Sequence, residues 1–475
     1  MGVPGTASNF YARWRAQNEA RLLLGERDAA HPPERLLQSI WLHQRLRREH
    51  LQTADGQPLR VLHPGFWNHE AGPDFHGAVV QFGNEPPRSG DVEIDLVPGN
   101  WRAHGHEGNP AFANVILHVV WEASRTASIP SLALETFIDT PLAEIQMWAG
   151  TGAALDWPEN LLGACRAPLA GLPPEKTTGL LHQAALVRFE GKAREIEARA
   201  RQAGWEQALW EGLFRALGYK QNTWPMQRLG ELLPRLQGPS DSLQAWQARL
   251  LGVAGLLPSD ISGTGPDSFL RRLWDHWWRE RENFSDVVLP RNLWRFNGLR
   301  PANQPQRRLA LAAHWLASKD FPARLEQWFT GGKPETSLPD SLLSCLQPPE
   351  DEFWSWHWGL RTPPLGQPQP LLGATRVTDL AVNVILPWFW VRAQAGRNEP
   401  LRKMAAERYL AWPAAQDNAR LRLARLRLLG RGASAGIKSA ASQQGLLQIV
   451  RDFCDHSNAI CADCLFPALV REFGT

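Results

Sequence analysis

Cysteine, tyrosine and methionine are all scarce, at five, three and four in 475 residues. An odd number of cysteines spread along so long a chain excludes a disulfide framework as the main support of the fold. No apolar run reaches the roughly 18 residues that a bilayer-spanning helix needs, so no membrane partner is expected. Residues Met1 to Ala20 show neither the basic start nor the apolar centre of a secretory leader, and the expected location is cytoplasmic. An excess of one charge is missing too: 51 basic and 48 acidic residues leave a formal charge of +3. A nucleic-acid partner would therefore depend on a local basic surface and not on an overall field.

What is present is core-forming material. Hydrophobic residues make up 43% of the chain, and a length of 475 exceeds what one core normally serves. The expected layout is α+β or α/β, with a small mixed sheet followed by a large helical region. In residue terms this gives a lead segment over 1–33, a sheet domain over 34–140, a Gly- and Pro-rich linker over 141–176, and a helical region over 177–475 with a division near 285. The 23 tryptophans cluster, as at Trp274, Trp277 and Trp278 and again at Trp354, Trp356 and Trp358. Helical spacing assigns most such rings to cores, with base stacking in single-stranded nucleic acid as the other use.

The chemistry concentrates between His63 and His118. Short alternating segments, His76 to Phe82, Asp91 to Val97 and Val115 to Trp121, read as half-buried strands. Residues two apart on a strand share a face, so Glu93 and Asp95 point together while Val92, Ile94 and Leu96 face a core. Asp74 enters the preceding strand and can converge on them, with Gly65 and Gly72 permitting the tight path that presents it. Three acids on one side repel unless a cation sits among them, and hard oxygen ligands suit Mg²⁺ or Mn²⁺. His104 and His106, in a loop after the acids, fit metal ligation, proton donation, phosphate contact or plain loop hydrogen bonding. His118, inside an apolar strand, reads as a satisfied buried histidine or a catalytic one. Glu34, in the first turn of a helix expected over Glu34 to Glu49, is either within reach of the acids or a solvated residue at a helix start.

Beyond the sheet the period turns helical, over Leu180 to Arg201, Trp205 to Leu217, Leu243 to Leu256, Phe269 to Arg281 and Arg307 to Leu316. Arg300 and Arg308 flank a proline-rich loop; they either grip phosphate or pin that loop by bonding carbonyls. Near the end, Cys454, His456, Cys461 and Cys464 offer ligands for Zn²⁺, with buried thiols and a redox pair as the alternatives. An iron–sulfur cluster would require Cys165 or Cys345 to return to them.

Pro73-Asp74 followed by Glu93-Ile94-Asp95 resembles the PD-(D/E)xK nuclease core, with Asp95 in place of the lysine. That resemblance implies a metal-dependent phosphodiester hydrolase acting on DNA or RNA, with Asp74, Glu93 and Asp95 at the metal and His104 or His106 as donor. Loss of the lysine equally fits a non-catalytic nucleic-acid- or protein-binding scaffold. Over nearly the full chain, Glu34-Arg-Leu-Leu-Gln38, Gly72-Pro-Asp-Phe75, Gly90-Asp-Val-Glu-Ile94, His104-Gly-His106, Asn114-Val-Ile-Leu-His-Val119, Arg300-Pro-Ala-Asn303 and the late cysteines resemble a bacterial family known as the domain of unknown function DUF2851. Membership of that family implies no particular activity.

Overall fold

The computed structural model describes residues 9–18, 32, 34–68, 72–122, 129–142, 165–219, 221–238, 242–262, 265, 268–296, 299–331, 336–416, 418–430, 437–454 and 464–475. A mixed sheet is followed by a mostly helical region, as the periodicities predict. Two compact units result, one of residues 1–194 with 413–475 and one of residues 195–412. The division thus falls away from 141–176 and 285, because the last 63 residues (475 − 412) belong with the first unit. A reading along the chain has no signal for such a return.

In the first unit six strands form one sheet: β1 Leu59–His63, β2 Phe66–Trp67, β3 Phe75–Phe82, β4 Arg88–Asp95, β5 Val115–Val120 and β6 Ser131–Ala133. The order is β1-β3-β4-β5-β6, with β2 added to β3. β4 lies at the centre, antiparallel to β3 and parallel to β5. That position explains why it is buried from Gly90 to Asp95 and yet carries three acids. Neighbouring strands pair its backbone on both sides, and the helix Glu34–His43 packs against it.

Two glycines are required by contact. A Cβ on Gly90 would lie 2.4 Å from Ile116 and 2.7 Å from the Asn114 carbonyl, so β4 and β5 approach only with glycine there. Gly65 has φ +95°, and a Cβ on it would stand 2.9 Å from that of Phe75. Gly72, at φ +116°, takes the left-handed path expected ahead of Asp74.

The helix Glu34–His43 buries Leu36, Leu37, Ile40 and Trp41, and the Trp41 indole donates to the Pro64 carbonyl at 2.9 Å. It stops short of the expected Glu49 because Gln44 takes φ +49° and turns the chain. The segment Ser131 to Phe137 is strand only to Ala133. Its next four residues coil into a helical turn closed by Ile138 N–H on the Leu134 carbonyl.

Residues 9–18 of the lead segment are part of the packed first unit. Phe10–Gln17 is a helix whose Tyr11 and Trp14 sit in a core with Leu180, Leu181, Leu446, Phe453, Phe466 and Leu469. The Tyr11 hydroxyl donates to Asp452 at 2.8 Å, and Asn9 caps the helix through Ala12 N–H. We expect Tyr11→Ala to cost about 3–5 kcal/mol of stability, the range for removing a buried aromatic ring, and Tyr11→Phe about 1 kcal/mol. Denaturant melts of the two variants check this; equal, small losses would mean that the ring does not pack.

The second unit is a stack of helices, among them Trp205–Leu217, Thr223–Glu231, Leu243–Val253, Phe269–Glu280, Pro305–Ala317 and Leu386–Ala395. Of the two tryptophan clusters only Trp354 is fully buried; Trp274, Trp277, Trp356 and Trp358 are partly buried. Trp278 is 47% exposed, stacked on Trp274 and covered by the Arg281 guanidinium. Among the described residues no helix is long and apolar enough to cross a membrane.

Candidate metal centre

The site forms where the end of β4 meets the start of β3. Asp74 stands immediately before β3, and the antiparallel pairing brings it beside Glu93. Asp74 N–H donates to Glu93 Oε2 at 3.0 Å, and the next residue of β4, Ile94, donates its N–H to Asp74 Oδ2 at 3.0 Å. The remaining Asp74 oxygen accepts from Gln38 Nε2 at 2.8 Å, and the same amide reaches Glu34 Oε1 at 3.2 Å. Helix Glu34–His43 therefore brings a fourth carboxylate to the group through Gln38.

From the other side come the histidines. After β4 the chain makes a single helical turn, Asn100–Ala103, and doubles back at Gly105, so that His106 N–H returns to the Trp101 carbonyl. This fold-back places His104 Nδ1 3.3 Å from Asp95 Oδ1 and His106 Nδ1 3.5 Å from Glu93 Oε1. His118, in register beside Glu93 on β5, holds Asp95 Oδ2 through Nε2 at 2.9 Å. The His106 ring is clamped between the face of Phe112, with centroids 4.0 Å apart, and the edge of Trp101.

One ligand atom each from Glu93, Asp95 and His106 lies within 4.8 Å of the other two, a spacing that a single ion can span. His106 Nδ1 is buried without a hydrogen-bond partner, on a side chain about nine-tenths buried. An unpartnered buried nitrogen is costly, and a cation among the two acids and the imidazole would remove that cost.

Electrostatics point the same way. Burial, with Glu34 and Asp95 nearby, pushes the Asp74 carboxyl up to about 7. Burial and the Asp74 charge push Glu93 up to about 8. Burial lowers the His106 imidazole, which keeps it neutral with a lone pair to offer. The acids thus hold protons at neutral pH that a divalent ion would displace.

The five residues expected at the site, Asp74, Glu93, Asp95, His104 and His106, are brought together, but with roles redistributed. Asp74 stands outside the three-ligand group and is bonded to Gln38 and to Ile94 N–H, whereas His106 stands inside it. Glu34 reaches the site, and His118 is the satisfied buried histidine with Asp95 as its partner. Gln38 was not legible as a site residue, because nothing in helical periodicity marks which polar residue faces a sheet. His118 had one signal, a polar ring in an otherwise apolar strand.

Arg308 does not serve as a phosphate grip. It is buried and donates to the Leu371 carbonyl at 2.9 Å, Asn303 Oδ1 at 2.7 Å and the Tyr219 hydroxyl at 3.0 Å, so it pins the loop. The exposed Arg300 caps the turn Pro301–Asn303 without a side-chain bond to it. Of the late ligand set, Cys454 and Cys464 are described, while His456 and Cys461 lie outside the described residues.

Comparison with curated proteins and with solved structures returns no match. A family model does match, over residues 34–418, which takes in the sheet, the acids, all three histidines of the site and the second unit. The chain belongs to the family described as a protein of unknown function, DUF2851.

Proposed function

We propose that this protein is a metal-dependent phosphodiester hydrolase acting on DNA or RNA, with Glu93, Asp95 and His106 holding the divalent ion. The observation that carries the reading is the approach of one ligand atom each from Glu93, Asp95 and His106, with the buried His106 Nδ1 making no hydrogen bond. The pattern of Asp74 before one strand and Glu93-x-Asp95 on the next supports the substrate class. An imidazole among the ligands favours Mn²⁺ over Mg²⁺, which prefers all-oxygen surroundings and retains its waters.

A bound ion would supply Lewis acidity and make water more acidic. The chain's own residues do the positioning. His118 orients Asp95 from behind, in the manner of groups that steer metal ligands without touching the metal. Asp74 ties the β4 backbone at Ile94 while its own N–H fixes Glu93. His104, half exposed beside Asp95, stands where protons can pass between the site and solvent.

The test is an assay of single- and double-stranded DNA and RNA with Mn²⁺ or Mg²⁺. Cleavage that requires the ion and disappears in Glu93→Gln is the expected result. Tight, stoichiometric Mn²⁺ binding with no cleavage of any of the four substrates would leave the site a structural ion in a binding scaffold and end the hydrolase reading.

A further inference from the structure

From Val287 to Lys319 the chain carries no Asp or Glu, although acids make up 48 of its 475 residues. The same stretch holds Arg291, Arg295, Arg300, Arg307, Arg308 and Lys319, whose charge exceeds the formal +3 of the whole chain. The fold divides these arginines into an exposed set, Arg291, Arg295 and Arg300, and a buried pair, Arg307 and Arg308. Among the described residues no carboxylate lies within ion-pair distance of Arg291 or Arg300. The nearest arginines along the chain on either side are paired, Arg281 with Glu282 at 3.2 Å and Arg324 with Asp320 at 3.4 Å. The buried pair bonds only neutral groups: Arg307 donates to the carbonyls of Trp354, His357, Gln369 and Pro370, and Arg308 to the groups that pin the loop. Burial pushes the Arg307 guanidinium down to about 10 and lowers Arg308 as well. Charges held where water solvates them poorly project outward and gain from an anion nearby.

One turn gathers the exposed arginines. After the helix Trp205–Leu217, Tyr219 takes φ +55° and folds the chain back, and a Cβ on Gly218 would lie 2.2 Å from the Asn222 carbonyl oxygen. From that turn the Asn222 amide holds the Arg295 backbone at both its N–H and its carbonyl, each at 2.8 Å. The Tyr219 hydroxyl donates to Asn303, whose own N–H bonds the Arg300 carbonyl at 2.8 Å. Arg295 and Arg300 thus flank the same turn. Arg291 reaches over the Phe296 ring, 5.2 Å from its centroid, which keeps it beside the same segment. Pro301 and Pro305 stiffen the stretch, so the exposed side chains project from a fixed backbone.

We propose that Arg291, Arg295 and Arg300 form a surface of the second unit that grips the phosphodiester backbone of a nucleic acid, with Arg307 and Arg308 as fixed charge behind it. Granted the nucleic-acid substrate proposed above, this surface is where the strand is held. Guanidinium groups match phosphate oxygens in geometry, and contacts to phosphate position a strand without selecting its sequence.

The experiment is fluorescence anisotropy of the full chain with labelled single- and double-stranded DNA and RNA, in chelator, from low to physiological salt. Binding that weakens steeply with salt is expected, because each phosphate contact releases counterions. Arg291→Ala and Arg300→Ala should each lower the slope of log affinity against log salt by about 0.7–0.9, on every sequence alike. The triple variant that adds Arg295→Ala should bind at least about tenfold more weakly at low salt. Lys403→Ala, which removes the same charge from the helix Glu399–Ala411, should leave both slope and affinity unchanged. No binding to any of the four probes, slopes unchanged in the arginine variants, or an equal loss in Lys403→Ala overturns the proposal. Displacement of the strand by polyglutamate as readily as by unlabelled strand also overturns it, since the surface would then suit acidic peptides. Binding in chelator is read apart from cleavage. Strands held through Arg300 yet never cut with Mn²⁺ end the hydrolase reading alone, and strands cut by the triple variant at unchanged affinity end this one alone.

Discussion

Replacing His106 with alanine lowers Mn²⁺ affinity by at least about 100-fold and removes ion-dependent cleavage at low metal concentration. Loss of a group that merely orients a metal ligand costs about 10–100-fold, so loss of a ligand itself exceeds that range. His106 Nδ1 faces Glu93 Oε1 at 3.5 Å and makes no hydrogen bond. Removal of the ring also leaves a gap between Phe112 and Trp101, against which it packs. His106→Gln is therefore the companion variant, since it keeps polar bulk and lacks a ring nitrogen. His104→Ala is the companion on the other histidine: its half-exposed ring meets Asp95 and the His106 ring but is not among the three ligands, and a smaller loss is expected. Isothermal titration with Mn²⁺ measures all three, and equal affinities for wild type and His106→Gln would remove the imidazole from the site.

The second large effect is on pH. Glu93 rises from 4.5 to about 8 through burial and the charge of Asp74, with Asp95 and Glu34 adding to it. Asp74, Asp95, Glu34, His104, His106 and His118 are the titratable groups around it. An ion competes with the Glu93 proton, so apparent Mn²⁺ affinity climbs roughly tenfold per pH unit on approach to the raised value and levels above it. Without the ion the same shift acts on the fold. An acid whose folded value is raised binds a proton in the folded state that the unfolded chain has released. Between 4.5 and about 8 the folded state is thus the more protonated, and stability falls as pH rises through that window. The penalty is complete above about 8 and absent below 4.5. Glu93→Gln removes it, so the metal-free variant should be more stable than wild type by about 2–4 kcal/mol at alkaline pH. The two should be nearly equal near pH 4.5. Melts in the presence of chelator across that range check the sign. A wild type that gains stability with rising pH would mean that the site acids are ionised and paired in the fold.

Legibility of the site divided along a physical line. Alternation put Glu93 and Asp95 on one face because strand geometry has a fixed period of two, whatever the neighbours. The Trp205–Leu217 helix was readable to the residue because Gly204 and Gly218 bracket one apolar stripe. Asp74 was placed at the head of β3, but its partners were not legible, since they come from a helix and from the next strand. Arg308 shows the same limit. Whether an arginine beside a loop meets phosphate or carbonyls depends on where the chain carries Leu371, Asn303 and Tyr219.

By itself the sequence determined the mixed sheet followed by helices, the family, and the five polar residues around which the site is built, because each follows from short-range periodicity or from the residues of a local motif. Only the tertiary structure decided that His106 joins Glu93 and Asp95 and that Phe10–Gln17 packs into the core of the first unit. Those outcomes depend on fold-backs and on the return of residues 413–475 to the first unit. They are set by which buried surfaces fit each other, a long-range choice that no local pattern encodes.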